Sequence, residues 1–203
     1  MARSTSTTRD RLLGRLARQG WLTRRDLDAD RIHARWLGQL LAEGLIERVS
    51  RGVYRAAGAP QTSDETLFDA CAAVPKGVVC LLSALAYHQL STVNPLKIDV
   101  AVRRDDRRPV IAYPPIVFHK FRDITTGVQH VSGPRGRELR VFNAERTICD
   151  AFRLRHEIGK DVALEALQTH LRRRPRRNIN SLLSTARKTG AYEVMRPYVE
   201  ALV

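Results

Sequence analysis

Arginines are the residues of this sequence whose spacing points most plainly to a chemical function. The segment "GLIERVSRGVYRA", residues 44–56, holds Arg48, Arg51 and Arg55 in two short runs of alternating apolar and polar residues. Such alternation favours two β-strands joined by a tight turn, and Gly52 suits the turn because glycine tolerates a positive φ. A guanidinium group binds phosphates or the edge of guanine through paired hydrogen bonds. We therefore interpret this hairpin as a candidate phosphate-binding element.

Three predicted helices precede the hairpin. Apolar residues recur at helical spacing over 9–19, which predicts a first helix. "TRRDL" opens a second helix with Thr23 as its cap. Asp28 or Asp30 is expected to cap a third helix, which ends at Gly44.

The predicted third helix has an apolar side and a basic side. Its apolar side contains Ile32, Trp36, Leu37, Leu40 and Leu41, and His33 joins this side as a structural residue. Its outer side contains Arg31, Ala34, Arg35, Gly38 and Gln39. A mid-helix glycine costs about 1 kcal/mol relative to alanine, so Gly38 indicates close approach to another surface.

Three helices followed by a hairpin are typical of a winged helix-turn-helix, in which the third helix enters the major groove of DNA. We predict an α+β protein with this domain at residues 1–58. A larger mixed domain with a small antiparallel sheet and C-terminal helices is expected at residues 59–203, after the linker-like segment "AAGAPQTSD". The predicted DNA contacts are Arg24, Arg25, Arg31, Arg35, Gln39, Arg48, Arg51 and Arg55.

The charge balance favours a polyanionic partner. The chain has 35 Lys and Arg against 21 Asp and Glu, a formal charge of +14, and almost all of the basic residues are Arg. A GC-rich genome would explain Arg in place of Lys, but not the net charge. Residues 1–58 carry +6, and the remaining 145 residues carry +8.

The run "RRRPRR", residues 172–177, is a second candidate for phosphate contacts. Five arginines in six positions make a strong local field, although a solvated loop between two helices explains the run equally well. The arginines of this run are Arg172, Arg173, Arg174, Arg176 and Arg177.

No catalytic or metal-binding pattern emerges. Cys71, Cys80 and Cys149 lack the spacing of a zinc site and are expected to be buried free thiols. Ser83 and His88 have no glycine-rich elbow, and Asp99 lacks the second carboxylate of a metal-dependent nuclease. We expect no enzymatic activity, cofactor or metal. Because the sequence has no apolar run of membrane-spanning length, we also expect a soluble cytoplasmic protein.

The order of "GLIERVSRGVYR", "LLSALAYHQLS", "KIDVAVRR" and "VFNAERTICDAFR" resembles the AbiEi family of bacterial antitoxins from type IV toxin-antitoxin systems. The resemblance runs from about Arg9 to the final helix, and it lies in the order and spacing of short motifs. It implies a winged helix that binds inverted repeats in the promoter of its own operon, and a second domain that carries antitoxicity. The implied partner is a nucleotidyltransferase toxin, with which many such antitoxins form no stable complex.

Within the motifs shared with that family, Tyr87, Thr147 and Asp150 have two open interpretations: residues that serve antitoxicity, or polar anchors of the second domain. The second is favoured. Two other classes of function also stay open for the chain as a whole. One is a winged-helix module that binds protein or RNA without an antitoxin role, and the other is a metal-dependent nuclease that uses Asp99.

Overall fold

The computed structural model describes residues 3–50, 52–58, 63–108, 110–111, 113–133, 137–173 and 177–202. The chain is a mixed α+β protein with two sheets, a small antiparallel one formed by the first part of the chain and a larger mixed one formed by the second. No helix in the described part of the chain is long and apolar enough to cross a membrane.

The described residues of the first part form three helices and three strands. Their order along the chain is α1 (Arg3–Gln19), β1 (Trp21–Thr23), α2 (Arg24–Ala29), α3 (Arg35–Ala42), β2 (Ile46–Ser50) and β3 (Val53–Ala56). The strands pair antiparallel in the order β1-β3-β2. Leucines from all three helices pack with Ile46 into one core cluster. The predicted hairpin is therefore present at β2 and β3, and Gly52 between them has a φ of +76°.

The third helix begins later than predicted. Neither Asp28 nor Asp30 caps it, because Asp30 forms an ion pair with Arg15 of α1 instead. Arg31 has a φ of +54°, which takes the chain out of α2 and puts Arg31 in the turn before α3 instead of on its outer face. The helix begins at Arg35, whose backbone N–H donates to His33 Nδ1 over 3.1 Å. His33 is exposed, so its assignment to the apolar side was wrong.

The second part of the chain begins at α4. Its elements are α4 (Ser63–Ala73), β4 (Val78–Val79), α5 (Leu81–Tyr87), β5 (Ile98–Arg103), β6 (Ile116–Phe121), β7 (Val128–Ser132), β8 (Glu138–Phe142), α6 (Ala144–Arg153), α7 (Arg155–Ile158), α8 (Lys160–Arg173), α9 (Arg177–Thr189) and α10 (Tyr192–Leu202).

The larger sheet has five strands in the order β6-β5-β4-β8-β7 and is mixed. The pairs β5/β6 and β4/β8 are parallel, while β4/β5 and β7/β8 are antiparallel. The expectation of a small antiparallel sheet in this part is thus corrected, although β7 and β8 form an antiparallel pair within it. Side-chain alternation has the same period in both kinds of sheet, so it carries no information about strand direction.

The helix α6 forms the centre of the second part. Asn143 caps it, because its side chain accepts the backbone N–H of Arg146 over 2.8 Å. Arg146 is only 2% exposed, and its Nε donates to Asp150 over 2.7 Å. Its other nitrogens donate to the carbonyls of Asp123 and Thr126, over 3.0 and 3.1 Å. One side chain therefore ties α6 to the loop before β7.

The two parts of the chain meet at Gly20. A Cβ on Gly20 would lie 2.6 Å from Asp69 Oδ1, which shows how closely the turn after α1 approaches α4. Asp69 also accepts a hydrogen bond of 2.7 Å from Arg137 Nη1. Beside this contact, the rings of Trp21 and Tyr113 meet edge to face at 6.2 Å. The junction is thus a small polar and aromatic contact between the two parts.

We predict that Arg146→Met lowers the free energy of unfolding by about 3–5 kcal/mol, because the substitution leaves the fully buried Asp150 carboxylate with a single basic partner. The matched control is Arg153→Met, because Arg153 contacts the same carboxylate over 2.9 Å from a side chain that is 37% exposed. The control should lose less than about 1 kcal/mol. Urea denaturation followed by circular dichroism measures both, and equal losses would contradict the central role of Arg146.

Candidate nucleic-acid interface

The outer face of α3 is open to solvent. Leu37 and Leu40 point into the core and are 5% and 1% exposed. Arg35 and Gln39, one turn apart, are exposed on the other side. Neither side chain forms a hydrogen bond or ion pair with any residue in the described part of the chain. This face therefore presents one guanidinium and one amide group that the fold itself does not use.

Gly38 lies between these two residues on the same face. A Cβ built on Gly38 would have no atom within 4 Å among the described residues. None of the described residues makes the close approach that was predicted for this position. The glycine therefore leaves a flat, exposed area on the surface of the helix. A flat exposed spot between two hydrogen-bonding side chains is a geometry that admits another molecule.

The hairpin lies next to α2. The backbone N–H of Arg24 donates to the carbonyl of Gly52 over 3.3 Å, which joins the start of α2 to the turn of the hairpin. Arg24, Arg31 and Arg48 are exposed. Arg51 and the side chain of Arg25 lie outside the described residues. Arg24 on α2, Arg31 in the following turn and Arg48 on β2 thus add exposed basic groups to the first part of the chain.

Arg55 differs from the other predicted contacts, because it is paired inside the small sheet. Its Nε donates to Glu47 Oε1 over 2.6 Å, and its side chain is 16% exposed. Glu47 and Arg55 are direct cross-strand partners in the β2/β3 register. This geometry favours a structural role for Arg55.

The arginine run between α8 and α9 is only partly described. Arg172 is exposed and donates to Thr169 Oγ1 over 3.2 Å. Arg173 donates to the carbonyls of His88 and Gln89 over 2.8 and 2.6 Å, which caps the end of α5. Arg174, Arg176 and the side chain of Arg177 lie outside the described residues. At least one member of the run therefore holds two helices together.

The three residues singled out in the second part have different environments. Thr147 is fully buried and donates to the carbonyl of Asn143 over 2.8 Å. Asp150 is fully buried between Arg146 and Arg153, and burial raises the pKa of its carboxyl. Tyr87 is half-buried and lines a cavity of about 470 Å³. The contacts of Thr147 and Asp150 favour the anchoring role, while Tyr87 is the one of the three that faces a cavity.

A buried polar cluster that the sequence did not reveal joins α5 to the larger sheet. The backbone N–H of Asp99 donates to Ser83 Oγ over 2.8 Å, and Asp99 Oδ1 lies 2.8 Å from His119 Nε2. The imidazole thus contacts the carboxylate and not the serine, so this cluster lacks the serine-to-histidine hydrogen bond of a nucleophilic triad. Ser83 and His119 are 36 positions apart, on elements that only the fold brings together.

The cysteines are not suited to chemistry. All three are free and buried. Burial raises the pKa of each thiol, that of Cys149 to about 12, so the reactive thiolate is scarce at neutral pH. Among the described residues, no group of three or more His, Cys, Asp or Glu side chains has the arrangement of a metal site.

Comparison with protein-family models gives no match for this chain, and comparison with curated proteins gives no significant match either. The exposed basic face of the first part is therefore a candidate site on the basis of its geometry alone.

We expect Gly38→Ala to raise the free energy of unfolding by about 0.5–1 kcal/mol, because alanine favours the helix and the added methyl group meets open space. The matched control is Gly20→Ala. It should destabilise the protein, because Gly20 has a φ of +89° and its Cβ would collide with Asp69. Thermal denaturation measures both variants. A loss of stability in the Gly38 variant would mean that its surface is already covered.

Proposed function

We propose that the chain is a DNA-binding protein whose residues 1–58 act as a winged helix-turn-helix. The observation that carries this proposal is the outer face of α3, where Arg35 and Gln39 flank Gly38 and have no partner in the described part of the chain. Arginine and glutamine are side chains that read guanine and adenine edges in the major groove. The order of three helices and a hairpin, with the hairpin turn bonded to the start of α2, supports the same proposal.

We further propose that the chain is an antitoxin of the AbiEi type, which represses its own operon at inverted repeats and counters a nucleotidyltransferase toxin. The support is the resemblance of four ordered segments to that family. Two of these segments become α5 and α6, which pack in one core cluster through Leu85, Ile148 and Phe152. The resemblance therefore includes the helices on which the second part is built.

The variant Arg35→Ala/Gln39→Ala should bind duplex DNA from the region upstream of its own gene about 1–3 kcal/mol more weakly, and with relaxed sequence preference. Fluorescence anisotropy across a salt titration measures the affinity. For the unaltered protein, log K should fall with log salt by about 0.9 for each phosphate contacted. Arg196→Ala is the matched control, since this exposed arginine lies on α10, far along the chain from the first part.

Three outcomes would contradict DNA binding through α3. One is an affinity for this duplex that does not depend on salt. Another is an equal loss of affinity in the Arg196 control. The third is displacement of the duplex by single-stranded RNA at equal nucleotide concentration, which would favour an RNA-binding module.

Antitoxicity is tested by co-expression with the product of the neighbouring gene, if that product resembles a nucleotidyltransferase. We expect the chain to restore growth of cells that express the toxin. The Arg35→Ala/Gln39→Ala variant should restore growth equally, because antitoxicity belongs to the second part. Growth arrest in the presence of the intact, folded chain would contradict the antitoxin role and leave DNA binding as a separate finding.

A further inference from the structure

A cleft of about 770 Å³ lies between the first and second parts of the chain. One wall is a face of α1 with Arg11, Arg15 and Arg18, and the opposite wall is formed by α4, the turn that follows it and β8. The volume falls within the range of about 300–1,000 Å³ that is usual for small-ligand sites, and such sites are frequent where two structural units meet.

Three guanidinium groups of the cleft have no acidic partner among the residues that the structure describes. Arg11 and Arg18 are exposed and lie two turns apart on one side of α1, separated along the axis by about 10 Å. Arg140 projects from the opposite wall and donates only to the carbonyls of Cys71 and Val74, over 2.9 and 3.0 Å. None of the three has a carboxylate within ion-pair distance in the described part of the chain. The Nε of Arg140 is buried there without a hydrogen-bond partner.

Most of the remaining charges of the cleft are already paired. Arg15 forms ion pairs with Asp26 and Asp30, the first at 3.2 Å. Arg137 lies between Asp69 and Glu65, at 2.7 and 3.3 Å. Glu138, on the same wall, accepts a hydrogen bond from His130 over 2.8 Å. The cleft is lined by five arginines against the three carboxylates of Asp10, Asp30 and Glu138, so its charge is positive overall.

The wall opposite α1 also has an apolar portion. Ala72 and Pro75 are exposed there, beside the more buried Phe68 and Cys71. A ligand with both an anionic chain and an apolar ring would therefore contact guanidinium groups on one side and hydrocarbon surface on the other. The separation of Arg11 from Arg18 matches an extended anion better than a single phosphate.

We propose that this cleft binds an oligophosphate anion, either free or carried by a nucleoside. The phosphates accept hydrogen bonds from Arg11 and Arg18, and the long-range field of Arg140 favours their negative charge. Because the walls of the cleft belong to α1 and to the second part, a ligand bound there favours the arrangement in which the two parts lie against each other. The proposal concerns residues other than the outer face of α3 and stands whether or not that face binds DNA.

The full-length protein is titrated by isothermal calorimetry with ATP, with inorganic tripolyphosphate and with adenosine, at low ionic strength and without Mg²⁺. We expect ATP and tripolyphosphate to bind with a Kd below about 1 mM and to raise the melting temperature. Adenosine should bind much more weakly. Tighter binding of ATP than of tripolyphosphate would identify the nucleoside form, and equal binding would identify the free oligophosphate.

The variant Arg11→Gln/Arg18→Gln should weaken binding of either anion by about 100-fold, which is about tenfold for each guanidinium removed. Its fold should be unaffected, because both side chains are exposed. The charge-matched control Arg107→Gln/Arg108→Gln alters two exposed arginines of the loop between β5 and β6. It should bind like the unaltered protein.

Three results would overturn the proposal. The first is the absence of binding by both ATP and tripolyphosphate. The second is an equal loss in the two double variants, which would indicate a general attraction of anions to a basic protein. The third is competition between ATP and duplex DNA combined with loss of DNA binding in the Arg11→Gln/Arg18→Gln variant, which would assign these arginines to a DNA surface.

Discussion

The buried guanidinium of Arg146 is the interaction on which the second part of the structure depends. It lies between the Asp150 carboxylate and two backbone carbonyls of the loop before β7, with its Cζ 4.5 Å from the centre of the Phe142 ring. A charge removed from water in this way is tolerated only if its hydrogen bonds are satisfied. The loop, the end of β8 and α6 must therefore adopt one mutual arrangement, and the other C-terminal helices pack against α6 on its apolar side.

Local patterns of the sequence predicted the elements whose determinants lie within a few residues. The β2/β3 hairpin follows from alternation and Gly52, and α8 ends at Arg173, within the arginine run that was read as lying between two helices. The predicted start of α3 was wrong, because Asp30 does not cap this helix and instead forms an ion pair with Arg15, which is distant in sequence. Strand direction in the larger sheet depends on the paths of the connections, which side-chain alternation does not encode.

The candidate site was predicted only in part, because local patterns give the exposed face of a helix but not the partners that the fold brings to each side chain. Arg35 and Gln39 were expected on an exposed helix face, and that is where they lie. Arg55 was expected to contact phosphate as well, yet its cross-strand neighbour Glu47 pairs with it. Counting outward from the hairpin turn would place Arg48 opposite Arg55, and it is the register shift between Arg48 and Ser50 that brings Glu47 there instead. The contact between Asp99 and His119 had no local signal in the sequence either, because the two residues lie on parallel strands that are connected by a long loop.

The structure divides its arginines into two populations that composition alone cannot separate. Arg137 and Arg146 donate to carboxylates that the fold has withdrawn from water, and Arg173 donates to two backbone carbonyls at the end of α5, so the fold itself uses all three. Arg11, Arg18 and Arg35 have no acidic partner within the described residues and lie on solvent-facing helix surfaces. Unpaired positive charges on a chain of net charge +14 repel one another and therefore do not stabilise the fold. Their presence on two surfaces, the outer face of α3 and the cleft beside α1, is the observation from which we propose anionic partners outside the chain.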